Sequence, residues 1–339
     1  MQFPLNQRMA RPFRKTVKYE ALYFFVKAMI AIARLTPRRL WLRICGALAR
    51  VYFTFATHER AKAIASLTVA FGNEASAQQI RALAWKSFSM LGKNAGEILR
   101  STGFSTARLN ELLVIEGEDH FAQARHSGKG LVFITGHIGA FELMVSYFAS
   151  RYDKPYVIGT PLKDEKLNNL LLAQRGAHGA MPVERGKDMA RVFRHLKNGG
   201  TVAMLIDQDT RVKSTFVDFF GEQAYTPVGA ALLAQRTDAT VLVGSIHLGE
   251  DLKHHIVVNP PIKVDITGDE EKDIHTNTQR FTKELEDIIR KYPEQWIWMH
   301  QRWKTRPGDV GARHGRHRAR SGRAACSARC RCSSRRLSS

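Results

Sequence analysis

The stretch LVFITGHIGAFELM, Leu131 to Met144, decides how this chain is read. A short apolar run ends in Thr135-Gly136, His137 follows, and Glu142 stands five positions further on before apolar residues resume. An apolar run of this length closed by glycine reads as a buried strand, and residues 140–151 carry a helical pattern. The same alternation continues downstream. The runs YVIGT, TVAMLI, TVLVGSI and HIVVNPPIKV read as strands, bounded by Gly or Pro. Residues 163–175, 187–198, 227–237 and 274–291 read as helices. Before this body, residues 59–128 read as helical, with QQIRALAWKSFSMLGKNAGEILR showing apolar residues at intervals of three and four. Strands alternating with helices predict an α/β fold with a mixed, mostly parallel sheet covered by helices. No internal repeat of fixed period is present.

Ligands of such sheets collect beyond the carboxyl ends of the strands. That directs attention to His137 after LVFIT, to Asp207 and Asp209 after TVAMLI, and to His247 in VLVGSIH. On a regular helix, positions five apart are separated by about 140° of rotation, so His137 and Glu142 would not share a face. They can meet if His137 lies in a turn and Glu142 in the opening of the next helix, and Gly136 and Gly139 supply the freedom for that turn. Glu142 would then accept one imidazole N–H and fix the tautomer, leaving the other nitrogen as a general base. The nearby helix N-terminus would favour an anionic group or oxyanion. A His-x4-Glu pair is also common by chance. The plain alternative makes Glu142 a helix-start carboxylate and His137 a strand-end residue with a satisfied hydrogen bond.

Charge bounds the partners. The 339 residues carry a formal net charge of +21, which calls for a polyanion: nucleic acid, an anionic membrane face or an acidic protein. Between Arg8 and Arg50 there are eleven Lys/Arg and one acid, Glu20. The apolar stretch ALYFFVKAMIAIA, Ala21 to Ala33, is thirteen residues with Lys27 inside it, short of the roughly 20 that span a bilayer. RRLWLRICGALARVYFTF follows the Pro37 break. Apolar bodies with basic edges and interfacial aromatics predict helices lying in the headgroup layer of an anionic, cytoplasmic leaflet. After Asp309 the chain has nine arginines, no acid and no lysine, a composition expected of a disordered tail or an out-of-frame one. Three of the four cysteines lie there, and CSARCRC lacks the paired spacing of a zinc site. The expected organisation is a membrane-associating helical segment over 1–57, an α/β domain over 58–308 and the tail over 309–339.

Four ordered blocks carry a resemblance. TGHIGAFELM resembles the His-x4-Asp/Glu motif of the bacterial lipid A late acyltransferases, the lauroyl/myristoyl family. MPVERGKDMARVFRHLKNGGTVAMLIDQD is similar to that family's Arg-containing segment, FVDFFGEQAYTPVGAALLAQRTDATVLVG to its Phe-Phe-Gly block, and YPEQWIWMHQRWKTRP to its closing block. The resemblance covers about residues 20–308. It implies an enzyme of the cytoplasmic face of the inner membrane that moves a fatty acyl chain from acyl carrier protein, or coenzyme A, to a hydroxyl of a glycolipid. No cofactor beyond that co-substrate is implied. His137 matches the general base and Glu142 its orienting partner, while Arg185, Asp207 and Gly139 are the candidates for holding substrate or the oxyanion. Ile138-Gly139-Ala140-Phe141 departs from the usual residues between the His and the acid, which bears on acceptor and chain length.

The chemistry that the resemblance implies is coherent on its own terms. A thioester needs no ATP, and no Ser or Cys sits in a Gly-x-Ser-x-Gly context, so a base-activated hydroxyl attacking directly fits better than an acyl-enzyme. Lys163, Lys166, Arg191, Arg194 and Lys197 are candidates for docking an acidic carrier. The alternatives are transfer to a different lysolipid or glycolipid, or a non-catalytic basic protein that binds membrane or nucleic acid. WIWMHQRWKTR interleaves aromatics with cations as single-strand binders do, yet no recognisable nucleic-acid module is present.

Overall fold

A computed structural model describes residues 13–152, 154–186 and 188–309. The Arg/Cys-rich tail and the first twelve residues lie outside them. Four helices come first: α1 (Phe13–Leu35), α2 (Arg38–Phe55), α3 (Thr57–Phe71) and α4 (Ala77–Ser101). Pro37 separates the first two, since it offers no N–H and its ring would clash with the preceding turn. Ser76 and Gln79 close a reciprocal capping box at the start of α4. Then follow α5 (Thr106–Asn110), β1 (Leu113–Glu116), α6 (Glu118–His126), β2 (Leu131–Thr135), α7 (Phe141–Arg151), β3 (Tyr156–Gly159), α8 (Glu165–Gly176), β4 (Met181–Glu184), α9 (Met189–Lys197) and β5 (Thr201–Leu205). The remainder is β6 (Ser214–Phe219), β7 (Glu222–Pro227), α10 (Gly229–Thr237), β8 (Thr240–Leu248), β9 (His254–Val258), α11 (Glu270–Lys291) and a 3-10 turn, Pro293–Gln295.

Seven strands form one sheet in the order β1-β9-β8-β2-β5-β3-β4. Every neighbouring pair is parallel except β8 and β9. This is the mixed, mostly parallel sheet expected. All five residues of β2 are buried, as a central strand covered on both faces requires. The pleat sends Val132 and Ile134 into the core beneath α9, α10 and α11, and Leu131 and Phe133 into the core beneath α6 and α7. With β5 on one side and β8 on the other, the carboxyl end of β2 opens at the middle of the sheet.

Several elements differ from expectation. β1 interrupts the region read as wholly helical. β4 carries no clear strand pattern because it is short, exposed at three of four residues and contains Pro182, which suits only an edge. The Phe-Phe-Gly block is a hairpin outside the main sheet, with β6 and β7 antiparallel and Phe220 and Gly221 both at positive φ in its turn. β9 ends at Val258, before Pro260 and Pro261, and α11 begins earlier than expected because Asp269 caps it and three acids occupy its first turn.

The amino-terminal helices are only partly a separate layer. The Trp41 indole donates to the Gly96 carbonyl of α4 at 2.9 Å, and Arg38 pairs with the fully buried Glu97 at 2.6 Å. Glu97 also meets His254 of β9 at 3.3 Å, which ties α2 through α4 to the sheet. The opposite face is apolar and exposed: Phe24 and Phe25 of α1, and Leu48, Val51 and Phe55 of α2. Among the described residues, no helix is long and apolar enough to cross a membrane.

Candidate active site

The turn after β2 is shaped by glycine. Gly139 has φ +58°, and a Cβ there would run into the Ile246 carbonyl of β8. Its N–H donates to the Gln295 carbonyl at 2.9 Å, and Ile138 forms an isolated bridge with Trp296. The turn is thus clamped by the 3-10 turn near the end of the chain. This corrects the expectation for Gly139: its N–H is already bonded, so its contribution is the turn and not an oxyanion contact.

His137 leaves this turn partly exposed, beside Phe141 and His300 with ring centroids 5.3 and 5.2 Å away. Its Nδ1 lies 2.8 Å from Asp207 Oδ1, and its backbone N–H donates to Asp207 Oδ2 at 2.7 Å. The Trp296 indole donates to the same Oδ2 at 2.8 Å. Asp207 stands just past β5, the parallel neighbour of β2, so parallel pairing brings these two strand ends together. A buried carboxylate with three donors stays ionised. Burial opposes ionisation, but His137, its backbone N–H and Trp296 together hold the Asp207 carboxyl well below the usual range. For His137, burial alone would lower the pKa; the Asp207 charge and hydrogen bond outweigh that and raise it above the ordinary imidazole value. Glu142 pushes the same way more weakly, and Arg185 pushes the other way.

The assignment of Glu142 as the group orienting His137 is therefore corrected by geometry. Glu142 opens α7 as expected, but its carboxylate takes a two-pronged contact from Arg175 of α8, at 2.9 Å to Nε and 2.5 Å to Nη2. Both partners are largely buried. The imidazole N–H assigned to Glu142 goes to Asp207.

Arg185 sits in the turn after β4, its N–H donating to the Gly159 carbonyl at 2.8 Å. Burial lowers its pKa, and its charge reaches His137, although no hydrogen bond among the described residues joins it to His137 or Asp207. It lines an apolar cavity of roughly 270 Å³ beyond the ends of β3 and β5, with Met189, Met204, Ile206, Leu232 and Lys213 among the walls. A second apolar cavity, under α7 between Phe133, Met144 and Phe148, is closed down to roughly 30 Å³.

Other expected residues are placed elsewhere. Asp209 secures the closing segment, accepting from the Thr305 N–H at 2.9 Å. His247 stacks on Tyr292, centroids 3.7 Å apart, and burial first, then His255, lowers its pKa to about 4. Lys166 pairs with Glu20 at 2.6 Å and Arg191 donates to the Tyr156 hydroxyl at 3.0 Å, so neither is a bare cation. Four residues were missed as site components. Trp296, Gln208 and His300 surround the His137–Asp207 pair, and Arg175 holds Glu142. Gln208 lay between the two flagged aspartates and His300 in the closing aromatic block, so position was the available signal.

Comparison with known proteins places the chain in a family. The sequence model for bacterial lipid A biosynthesis acyltransferases matches residues 9–305. The lipid A biosynthesis lauroyltransferase of Escherichia coli (strain K12) is 25% identical over 243 residues, 71% of this chain and 78% of its own length. The lipid A biosynthesis myristoyltransferase of the same strain is 24% identical over 300 residues, 86% and 90% of the two chains. A phosphatidylinositol mannoside acyltransferase of Mycobacterium tuberculosis is 26% identical over 223 residues, 64% and 69%. With a family match across nearly all described residues, the chain belongs to the bacterial lipid A biosynthesis acyltransferases and is an O-acyltransferase.

Proposed function

We propose that the protein transfers a fatty acyl chain from a thioester, carried by acyl carrier protein or coenzyme A, to a hydroxyl of a membrane glycolipid resembling a lipid A precursor. The observation that carries this reading is the His137–Asp207 pair, with Nδ1 bound to a buried carboxylate and Nε2 turned the other way. In that tautomer Nε2 is the basic nitrogen. It takes the hydroxyl proton as the oxygen attacks the thioester carbonyl carbon. The tetrahedral adduct then collapses, the C–S bond breaks, and the thiolate takes the proton from Nε2. No acyl-enzyme is needed, and no metal or prosthetic group enters the step.

The 270 Å³ cavity suits the acyl chain better than the space under α7, which at roughly 30 Å³ is far too small for one. Ile206 lines the cavity and directly precedes Asp207, so the cavity lies beside the strand end that carries the His137–Asp207 pair. Arg185 and Lys213 are cations on the cavity lining, suited to phosphate on the donor arm or the glycolipid. Arg194 and Lys197, exposed on α9, suit an acidic carrier. The exposed apolar faces of α1 and α2, set among arginines, support a peripheral seat on the anionic cytoplasmic face of the inner membrane.

Mass spectrometry of membrane glycolipids tests this in cells carrying the intact gene, the His137→Ala gene or none. The expected result is one acyl chain gained on a glycolipid only with the intact gene. Identical acylation in all three cell lines would overturn the reading.

A further inference from the structure

The lone pair that must accept the proton is not open in this structure. Gln208 Nε2 lies 3.2 Å from His137 Nε2 and 2.9 Å from His300 Nε2. In the neutral ring, the form that can act as a base, Asp207 holds the remaining proton on His137 Nδ1; Nε2 is then an acceptor, and an amide oxygen there would face it lone pair to lone pair. The atom between the rings is therefore the amide nitrogen. Its two N–H groups go one to each imidazole. Burial, and then the neighbouring His137, lower the pKa of His300, which keeps that ring neutral and able to accept.

We propose that Gln208 is a catalytic donor hinged on His300: it caps the base before substrate binds and donates to the oxyanion once the acceptor hydroxyl has displaced it. The proposal rests on the reading of His137 as general base. A hydroxyl approaching Nε2 takes the place of one Gln208 N–H. The other N–H keeps the amide on His300, so the freed N–H stays beside the base, on the side from which the hydroxyl attacks the thioester carbon. The carbonyl oxygen gains its negative charge at that point. A donor already fixed in a partly buried site stabilises such charge without reorganising water. His300 does not touch substrate in this scheme; it is a positioning residue for the amide. The other charged groups acting on His137 are Asp207, Glu142 and Arg185, and none of them fills the space at Nε2.

The test uses the purified full chain in detergent micelles, with lauroyl-coenzyme A as donor and a hydroxylated glycolipid as acceptor. Gln208→Ala is expected to lower kcat by about 10²–10³-fold, the usual cost of one oxyanion donor. The acid limb of kcat/KM for the acceptor should move to higher pH, because a donor on Nε2 favours the neutral ring. The acid limb of kcat should not move, because in the complex the hydroxyl already occupies Nε2. Gln208→Glu keeps the size, cannot donate as a carboxylate, and should lose kcat as well. A kcat within threefold of wild type in either variant overturns the proposal. Imidazole titration by nitrogen-15 NMR on the substrate-free protein reads the cap without any turnover: Gln208→Ala should raise the His137 pKa, and an unmoved titration overturns the cap. Were wild type itself inactive toward thioesters, the base reading would fail, while the titration would still decide whether Gln208 caps the ring.

Discussion

Two buried carboxylates stand near His137, and the chain uses them differently. Asp207 touches the imidazole, takes three hydrogen bonds and is fully buried at the end of a central strand. Glu142 is close enough to bias His137 by its charge, but its oxygens are bound to Arg175, which joins α7 to α8. One carboxylate raises the proton affinity of His137, the proposed base; the other holds two helices together beside it. Proximity in sequence points to the second, and strand adjacency selects the first. Electrostatic influence alone therefore does not identify an orienting partner; a shared hydrogen bond does.

The comparison breaks most readily at the base. His137→Ala should lower acyl transfer by about 10²–10⁴-fold with the circular dichroism spectrum unchanged. A rate near wild type would remove His137, and with it the significance of Asp207. Glu142→Ala should show the opposite profile. Leaving the buried Arg175 without its partner should cost about 3 kcal/mol in denaturant unfolding, with transfer per folded molecule reduced less than tenfold. A stable but inactive Glu142→Ala protein would reverse the roles assigned here.

The pH dependence sharpens the contrast further. Asp207 favours the imidazolium, so His137 releases its proton, and becomes a base, only at a pH above the ordinary imidazole midpoint. The acid limb of kcat/KM should accordingly lie above about 6.5 in wild type and move down in Asp207→Asn. The same linkage makes the ion pair's contribution to stability fully present below the unfolded histidine pKa, fading as pH rises through the raised folded value. The smallest expected effect is on the remote face. Phe55→Ser should weaken partition onto anionic vesicles while changing unfolding stability by no more than about 0.5 kcal/mol, since the side chain is exposed.

Much of the sheet was legible because its central strands are buried on both faces and so read as uninterrupted apolar runs. LVFIT, TVAMLI and TVLVGSI are β2, β5 and β8, and the neighbouring ends of the first two bring His137 and Asp207 together. What could not be read depended on long-range contacts. Nothing local tells Asp207 to accept from a histidine seventy residues earlier, and the link exists because β2 and β5 pair. Gln208, Trp296 and His300 become site residues only when the closing segment folds back over the turn at Gly139. Edge and hairpin strands were missed for another reason. β4 and β7 are partly exposed and carry proline, so their pattern is weak and tertiary pairing decides them.

The central claim is that Asp207, and not Glu142, orients the base. It is tested most directly by initial rates of acyl transfer for Asp207→Asn and Glu142→Gln, measured side by side on the purified protein with the same thioester and glycolipid. The account predicts a fall of about 10²–10⁴-fold for Asp207→Asn, where the wrong tautomer is favoured, and less than tenfold for Glu142→Gln. Equal losses, or a larger loss in Glu142→Gln, would contradict it.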